Sequence, residues 1–170
     1  MMIRIFIQAK GNPILSLASL VPKKCNACEE VLVGKYYEYK SIVTIADTNL
    51  YQHMDFKNYF DLQGIVRGLW VKDAVVDGME SLMNSVFLIT KSAHCDFIKD
   101  FYLFDEILVR MQVKNIKHIS AEIVFHYYHS QTMELHAKGY QKIVFADSHH
   151  KICRIPENFK KAGMEFSMGP

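Results

Sequence analysis

The sequence predicts an α+β domain in which one long central helix is wrapped by a twisted antiparallel sheet of about five strands. Three observations lead there. From Phe56 onward, Phe56, Tyr59, Phe60, Leu62, Val66, Leu69 and Trp70 share one arc of a helical wheel, with Lys57, Asp61, Gly64, Gly68 and Lys72 opposite. After that helix the apolar period changes to two, the signature of half-buried strands. The order of elements is one strand, one helix and then about four strands. A sheet with a single helix to cover its inner face leaves its edges open, so a homo-oligomer, a dimer or a dimer of dimers, is expected.

The bulk properties fit that outline. The chain has 170 residues, half of them hydrophobic and 22% charged, which suits one domain with a sizeable core. A net charge of +2, with no basic run interleaved with aromatics, gives no reason to expect nucleic acid. No apolar run is long enough to span a bilayer. Four cysteines are too few for a disulfide scaffold. Cys25 and Cys28 form a CxxC, but a zinc ribbon needs a second pair, so reduced thiols in a loop are expected. Arg4 and Lys10 precede the apolar stretch Pro13–Val21, yet Gln8–Asn12 interrupts any signal-peptide core, and a cytoplasmic location is expected.

Residues 1–34, punctuated by Gly11, Pro13, Pro22 and Gly34, read as an N-terminal extension; 35–160 read as the domain and 161–170 as a tail. Tyr36–Ile45 mixes Tyr, Ile and Val with Lys and Glu as a first strand. Ala46–Asp55 is a polar loop. The helix runs from Phe56 to about Val76, with Asp77-Gly78 ending it and Gly78 as the glycine after the cap. Leu82–Thr90 leads through Lys91-Ser92-Ala93 into His94–Ile98 as one bent strand. Phe101–Asp105 is a turn. Ile107, Val109, Met111 and Val113 alternate with polar neighbours, and Ile119, Ala121, Ile123, Phe125 and Tyr127 repeat the pattern. Ser130–Thr132 turns the chain into Met133–Ala146, where Gly139 marks a bulge or a close backbone approach. Pro156 and a polar tail close the domain.

Two residues break the helical pattern. Gln63 and Arg67 lie inside the apolar arc, one and two turns after Tyr59. A buried guanidinium costs several kcal/mol, on the order of 3–5, unless it is paired or has work to do. A structural pair with Asp61 or with a strand carboxylate would explain Arg67 equally well, and Tyr59 alone reads as a core aromatic.

The loop and helix together, Asp47-Thr48-Asn49-Leu50, Asn58-Tyr59, Gln63-Gly64 and Arg67, resemble the hotdog-fold thioesterases. Within the 4-hydroxybenzoyl-CoA thioesterase-like superfamily they are most similar to the enediyne polyketide-type branch. Phe104-Asp105-Glu106-Ile107, the run Lys138 to Asp147 and Arg154-Ile155-Pro156 add support, and the resemblance spans Tyr36 to Phe159. It implies a hotdog fold and hydrolysis of a thioester between an acyl or polyketide chain and a phosphopantetheine arm. That arm is carried by an acyl carrier protein or by coenzyme A, the pocket lies at a dimer interface, and no cofactor or metal is needed. Carried over by position, the functional asparagine, tyrosine and arginine fall on Asn49, Tyr59 and Arg67.

The chemistry of those residue types agrees. Backbone N–H groups near Asp55 to Asn58, at the positive end of the helix, suit a carbonyl oxygen that becomes negative. Arg67 cannot act as a base but can stabilise charge, and Tyr59 can orient a neighbour. Asn49 stands where the hydroxybenzoyl branch has an aspartate, so water must attack directly. Asp47, His53 and Asp55 remain as candidate bases. Asp47 also suits capping of a turn, Asp55 stands where an N-cap belongs, and His53 is a base or a loop histidine. Gln63, Phe56 and Met54 are candidates for substrate contact. Met79, Met83, Phe87 and Phe97 suit either a core or an acyl tunnel. His126 and His129 face opposite sides of a strand and His149-His150 lies in a loop, so no metal site is expected.

Two other readings stay open. Hotdog hydratases and dehydratases carry a proline and a histidine where this chain has Leu50 and Gln52, with His53 one residue late. A non-catalytic module binding acyl-CoA or a carrier protein would also fit a site that lacks the carboxylate.

Overall fold

The computed structural model describes residues 34–167. The expectations for the N-terminal extension and for Cys25 and Cys28 lie outside the described residues. Strand β1 (Tyr37–Ile42) leads through a short 3-10 turn (Ile45–Asp47) and a loop into α1 (Phe56–Ala74). There follow α2 (Gly78–Asn84), β2 (Val86–Phe97), β3 (Glu106–Lys114), β4 (Ser120–His129), β5 (Leu135–Asp147), β6 (Ile152–Cys153) and α3 (Glu157–Glu165). The sheet runs β1-β3-β4-β5-β2, every pair antiparallel, with the two-residue β6 added to the end of β5.

The alternation expected of the strands sets the core. Val109, Met111 and Val113 of β3, Ile123, Phe125 and Tyr127 of β4, and Ala137, Ile143 and Phe145 of β5 are buried in one cluster with Tyr59, Leu62, Val66 and Trp70 of α1. Gln63 shares that buried face and is fully covered.

Strand β2 is the bent strand expected from the sequence, and its bend is a bulge between Thr90 and Ser92. Phe97, Cys95 and Ala93 oppose Ala137, Gly139 and Gln141, whereas Thr90 and Leu88 oppose Ile143 and Phe145. Lys91 is the extra residue, so the strand changes from odd to even positions on the face toward α1.

Three expectations need correction. Helix α1 stops at Ala74, and the left-handed residue after it is Asp77 (φ 52°), not Gly78. Gly78 instead opens α2, where a β-carbon would lie 2.7 Å from Val75 Cβ, so close approach explains the glycine. Residues 82–84, read as the start of a strand, belong to α2; Met79, Leu82 and Met83 have helical spacing. The stretch after Pro156 is not a polar tail. Phe159 and Ala162 of the nine-residue α3 and Phe166 directly after it are buried, and the helix crosses the boundary expected at 160.

Candidate active site

The loop before α1 is held by backbone groups and its own polar side chains. Thr44 donates from its N–H (2.8 Å) and hydroxyl (2.6 Å) to Asp47 Oδ2, so Asp47 caps the 3-10 turn. Its carbonyl accepts from Asp55 N–H (2.8 Å) and from Asn58 Nδ2 (2.6 Å), tying the turn to the helix start. Met54 N–H donates to Phe101 O (2.7 Å), and His53 forms a bridge with Tyr102. The loop therefore leans on the segment between β2 and β3.

Asp55 is the N-cap of α1, accepting from Lys57 N–H at 3.0 Å. Asn58 N–H is bound to Asp55 O. Of the first three helical N–H groups, that of Phe56 alone makes no hydrogen bond among the described residues. The helix end thus offers one free donor rather than several.

Asn49 sits at the opening of the loop. Its Oδ1 accepts from Tyr51 N–H at 2.8 Å, and its Nδ2 lies 3.4 Å from His53 Nδ1. His53 also lies 3.4 Å from Met54 O and 3.9 Å from Asp100 Oδ1, with its ring stacked on Tyr51. Asn49 and His53 are thus brought together.

Tyr59, Gln63 and Arg67 form a row along α1 facing β2, which runs the other way. Tyr59, 2% exposed, packs edge-on against Phe97 at 4.9 Å and Tyr127 at 5.4 Å between ring centres. Burial, reinforced by Cys95 and Asp100, raises its hydroxyl above the usual tyrosine range, so the phenol stays neutral. Gln63 donates to His94 O at 3.1 Å. Arg67 donates from one nitrogen to Thr90 Oγ1 (2.6 Å) and Gln141 Oε1 (2.8 Å). Burial lowers its pKa, and no carboxylate pairs with it among the described residues, so neither Asp61 nor a strand acid is its partner.

Asn49, Tyr59 and Arg67 do not bond to one another in the protomer. Tyr59 and Arg67 are about 12 Å apart along the helix axis, at 1.5 Å per residue. Phe56 is exposed, whereas Met54 is buried and lines a cleft of about 600 Å³. That cleft opens beside the start of α1, with Asp47, Asn58, Leu62, Ile65 and Ile42 among its walls.

Four residues that complete this surroundings carry no motif: Thr90, Asp100, Tyr127 and Gln141. Tyr127 left a trace as the last residue of an alternating apolar run, and Gln141 as a polar residue on the core-facing parity of β5. Thr90 is hidden by the bulge.

The model of the thioesterase-like superfamily matches residues 43–163. No curated protein matches the sequence. Among solved structures, the fold is similar to the dynemicin thioesterase, whose crystal structures describe polyene binding (24% identity, TM-score 0.75, covering 80% of this chain and all of that one). It is also similar to the 1,4-dihydroxy-2-naphthoyl-CoA thioesterase of Synechocystis (15%, TM-score 0.71, 77% and 97% covered). A third likeness is to a Staphylococcus aureus protein solved in complex with CoA (14%, TM-score 0.73, 81% and 88% covered).

Proposed function

The chain belongs to the thioesterase-like superfamily and has its hotdog fold, and from that premise we propose that it hydrolyses acyl thioesters by direct attack of water. The observation that supports this best is Arg67: a half-buried guanidinium held by two neutral oxygens and no carboxylate. Among the described residues its charge has no carboxylate partner, and it is available to a developing oxyanion or a substrate carbonyl. The Phe56 N–H is a second donor of that kind. In this reading Asn49 and Tyr59 position groups and Gln63, Phe56 and Met54 contact the substrate, of which Met54 lines the cleft. The cleft beside Met54 is the candidate acyl channel.

The acyl group arrives on phosphopantetheine, with an acyl carrier protein or coenzyme A as carrier, and a polyketide-type chain is the substrate class favoured by the enediyne-type motif. Asn49 and Arg67 stand apart in one protomer, and β2 is an unpaired edge with Phe87, Ile89 and Phe97 exposed along it. Gly64 and Gly68 face open space on the outer side of α1. A second copy paired along β2 would cover these groups and complete the site, so the working unit is a homodimer. No described helix is long and apolar enough to cross a membrane, and the expected location is the cytoplasm.

The test is thiol release from acyl-CoA and acyl-carrier thioesters by the purified full chain. Turnover is expected to fall by about 10²–10³ in Arg67→Ala, the usual cost of one oxyanion donor. Tight binding without turnover in both proteins would refute hydrolysis and favour a binding module.

A further inference from the structure

The thioesterase reading leaves one atom transfer without an owner: the proton that leaves the attacking water. Three carboxylates near the start of α1 are held by hydrogen bonds. Asp47 Oδ2 holds Thr44 through two hydrogen bonds, Asp55 caps the helix, and Asp105 Oδ2 accepts from Tyr102 N–H at 2.8 Å. Arg67 has no proton to lose at neutral pH, and the Tyr59 phenol is held neutral. His53 remains.

Resting on that reading, we propose that His53, backed by Asp100, is the proton acceptor that activates the water. The geometry differs on the two sides of its ring. Nδ1 faces two acceptors, Met54 O (3.4 Å) and Asp100 Oδ1 (3.9 Å), and one donor, Asn49 Nδ2 (3.4 Å). A proton on Nδ1 points toward Met54 O and Asp100, makes the Asn49 Nδ2 contact one between two donors, and leaves the Nε2 lone pair free. Nε2 makes no hydrogen bond among the described residues. The ring keeps about a third of its surface (30%) exposed, so water can reach it. Its orientation is set from two sides, by the backbone bridge to Tyr102 and by the stacked Tyr51 ring. The charged groups facing the imidazole reduce to Asp100. A single carboxylate beside Nδ1 stabilises the imidazolium formed when Nε2 takes a proton.

The step balances without a further reactant. The water oxygen bonds to the thioester carbonyl carbon as one of its protons passes to Nε2. The resulting oxyanion re-forms the carbonyl, the carbon–sulfur bond breaks, and the departing sulfur takes the proton from Nε2. The products are a carboxylic acid and a thiol, and His53 is neutral again. Asn49 then shapes the loop that carries His53, through Tyr51 N–H on its Oδ1 and its own N–H on His53 O.

The experiment is the pH profile of kcat and KM for the full chain on octanoyl-CoA, palmitoyl-CoA and acyl-carrier protein, with His53→Ala and Asp100→Asn alongside. Wild type is expected to lose kcat as pH falls, because a protonated base cannot accept the proton of water. His53→Ala should lower kcat by about 10²–10⁴ with KM little changed, lose that inflection, and recover activity with added imidazole. That recovery excludes misfolding as the cause. Asp100→Asn should lower kcat with KM little changed, because the imidazolium formed in the step loses its carboxylate neighbour. A His53→Ala protein with the wild-type profile, or one that added imidazole does not rescue, overturns the assignment while leaving the thioesterase intact. A wild type inert toward every thioester overturns the hydrolase reading itself, and the assignment with it.

Discussion

Gln63 occupies the space that a β-carbon on Gly139 would need. The contact between its Nε2 and that position would be far inside van der Waals distance, and the carbonyl of His94 lies 3.1 Å away. Glycine in the middle of β5 thus lets the α1 side chain cross over the strand and reach His94 O in β2. Gly139→Ala is expected to expel Gln63 from this bond and cost about 1–3 kcal/mol, as overpacked cores do. Adding Gln63→Ala should recover part of the loss, because a shorter side chain no longer meets the new methyl. Urea denaturation of the two single variants and the double variant measures the coupling.

Gln52 has φ 65° in the tight loop between Asn49 and His53, a conformation that costs an L-residue about 1–2 kcal/mol. The loop is closed by Asn49 N–H to His53 O and Gln52 N–H to Asn49 O, both at 3.0 Å. Gln52→Gly should raise stability, by up to about 1 kcal/mol after the extra chain entropy of glycine is subtracted. Differential scanning calorimetry reads the shift, and a lowered melting temperature would contradict it.

Stability should fall at high pH. Burial pushes the Cys95 thiol up to about 12, with Asp96 adding to the effect. Burial, with Asp73 beside it, raises the Tyr37 hydroxyl to about 12 as well. Burial is also the first cause of the upward shifts at Tyr59 and Tyr127. All four groups are neutral when protonated, and in the unfolded chain they ionise near their ordinary values, about 8.5 for Cys and 10 for Tyr. Above those values the unfolded chain has released protons that the folded one keeps, so the stability contributed below about pH 8.5 declines through about pH 12. Denaturant midpoints at pH 7, 9, 10 and 11 should fall in that order. Tyr127→Phe should lose the 2.8 Å bond to Tyr59 O at pH 7 but show a shallower alkaline decline.

The open edge of β2 makes a prediction about assembly. Ile89, 41% exposed, lies on the stretch before the bulge. A lysine there places charge on an unpaired edge, the device that keeps such edges apart. Ile89→Lys should shift sedimentation from dimer toward monomer and reduce turnover together. Monomeric wild type, or a dimer untouched by this change, would refute pairing along β2.

Much of this arrangement could be seen in the residues. The two side chains that violate the apolar arc, Gln63 and Arg67, are the ones that reach across to β2 and β5, and Gly139 is the close approach that the strand pattern suggested. The bend near Lys91-Ser92-Ala93 was legible because apolar alternation slips there. Other features had no local signal. Thr90 meets Arg67 only because a bulge turns it inward, and Asp100 meets His53 through a loop far along the chain. Helix α3 was obscured by Lys160, Lys161 and Glu165, whose charge dominates the linear composition. Phe159, Ala162 and Phe166 reveal their common side only once the chain is coiled.

The strand order has a consequence for how the chain is made. Val86 finds its neighbour at Asp147, and β2 pairs with no strand but β5 among the described residues. During synthesis, then, the fifty-odd residues after β2 must emerge from the ribosome before it can be paired, a delay of about 3–12 s at 5–20 residues per second. Throughout that interval Phe87, Leu88, Ile89 and the greasy flank of the preceding helix are bare. Folding of such distant pairings is slow, and a nascent chain of this topology should depend on a holding chaperone.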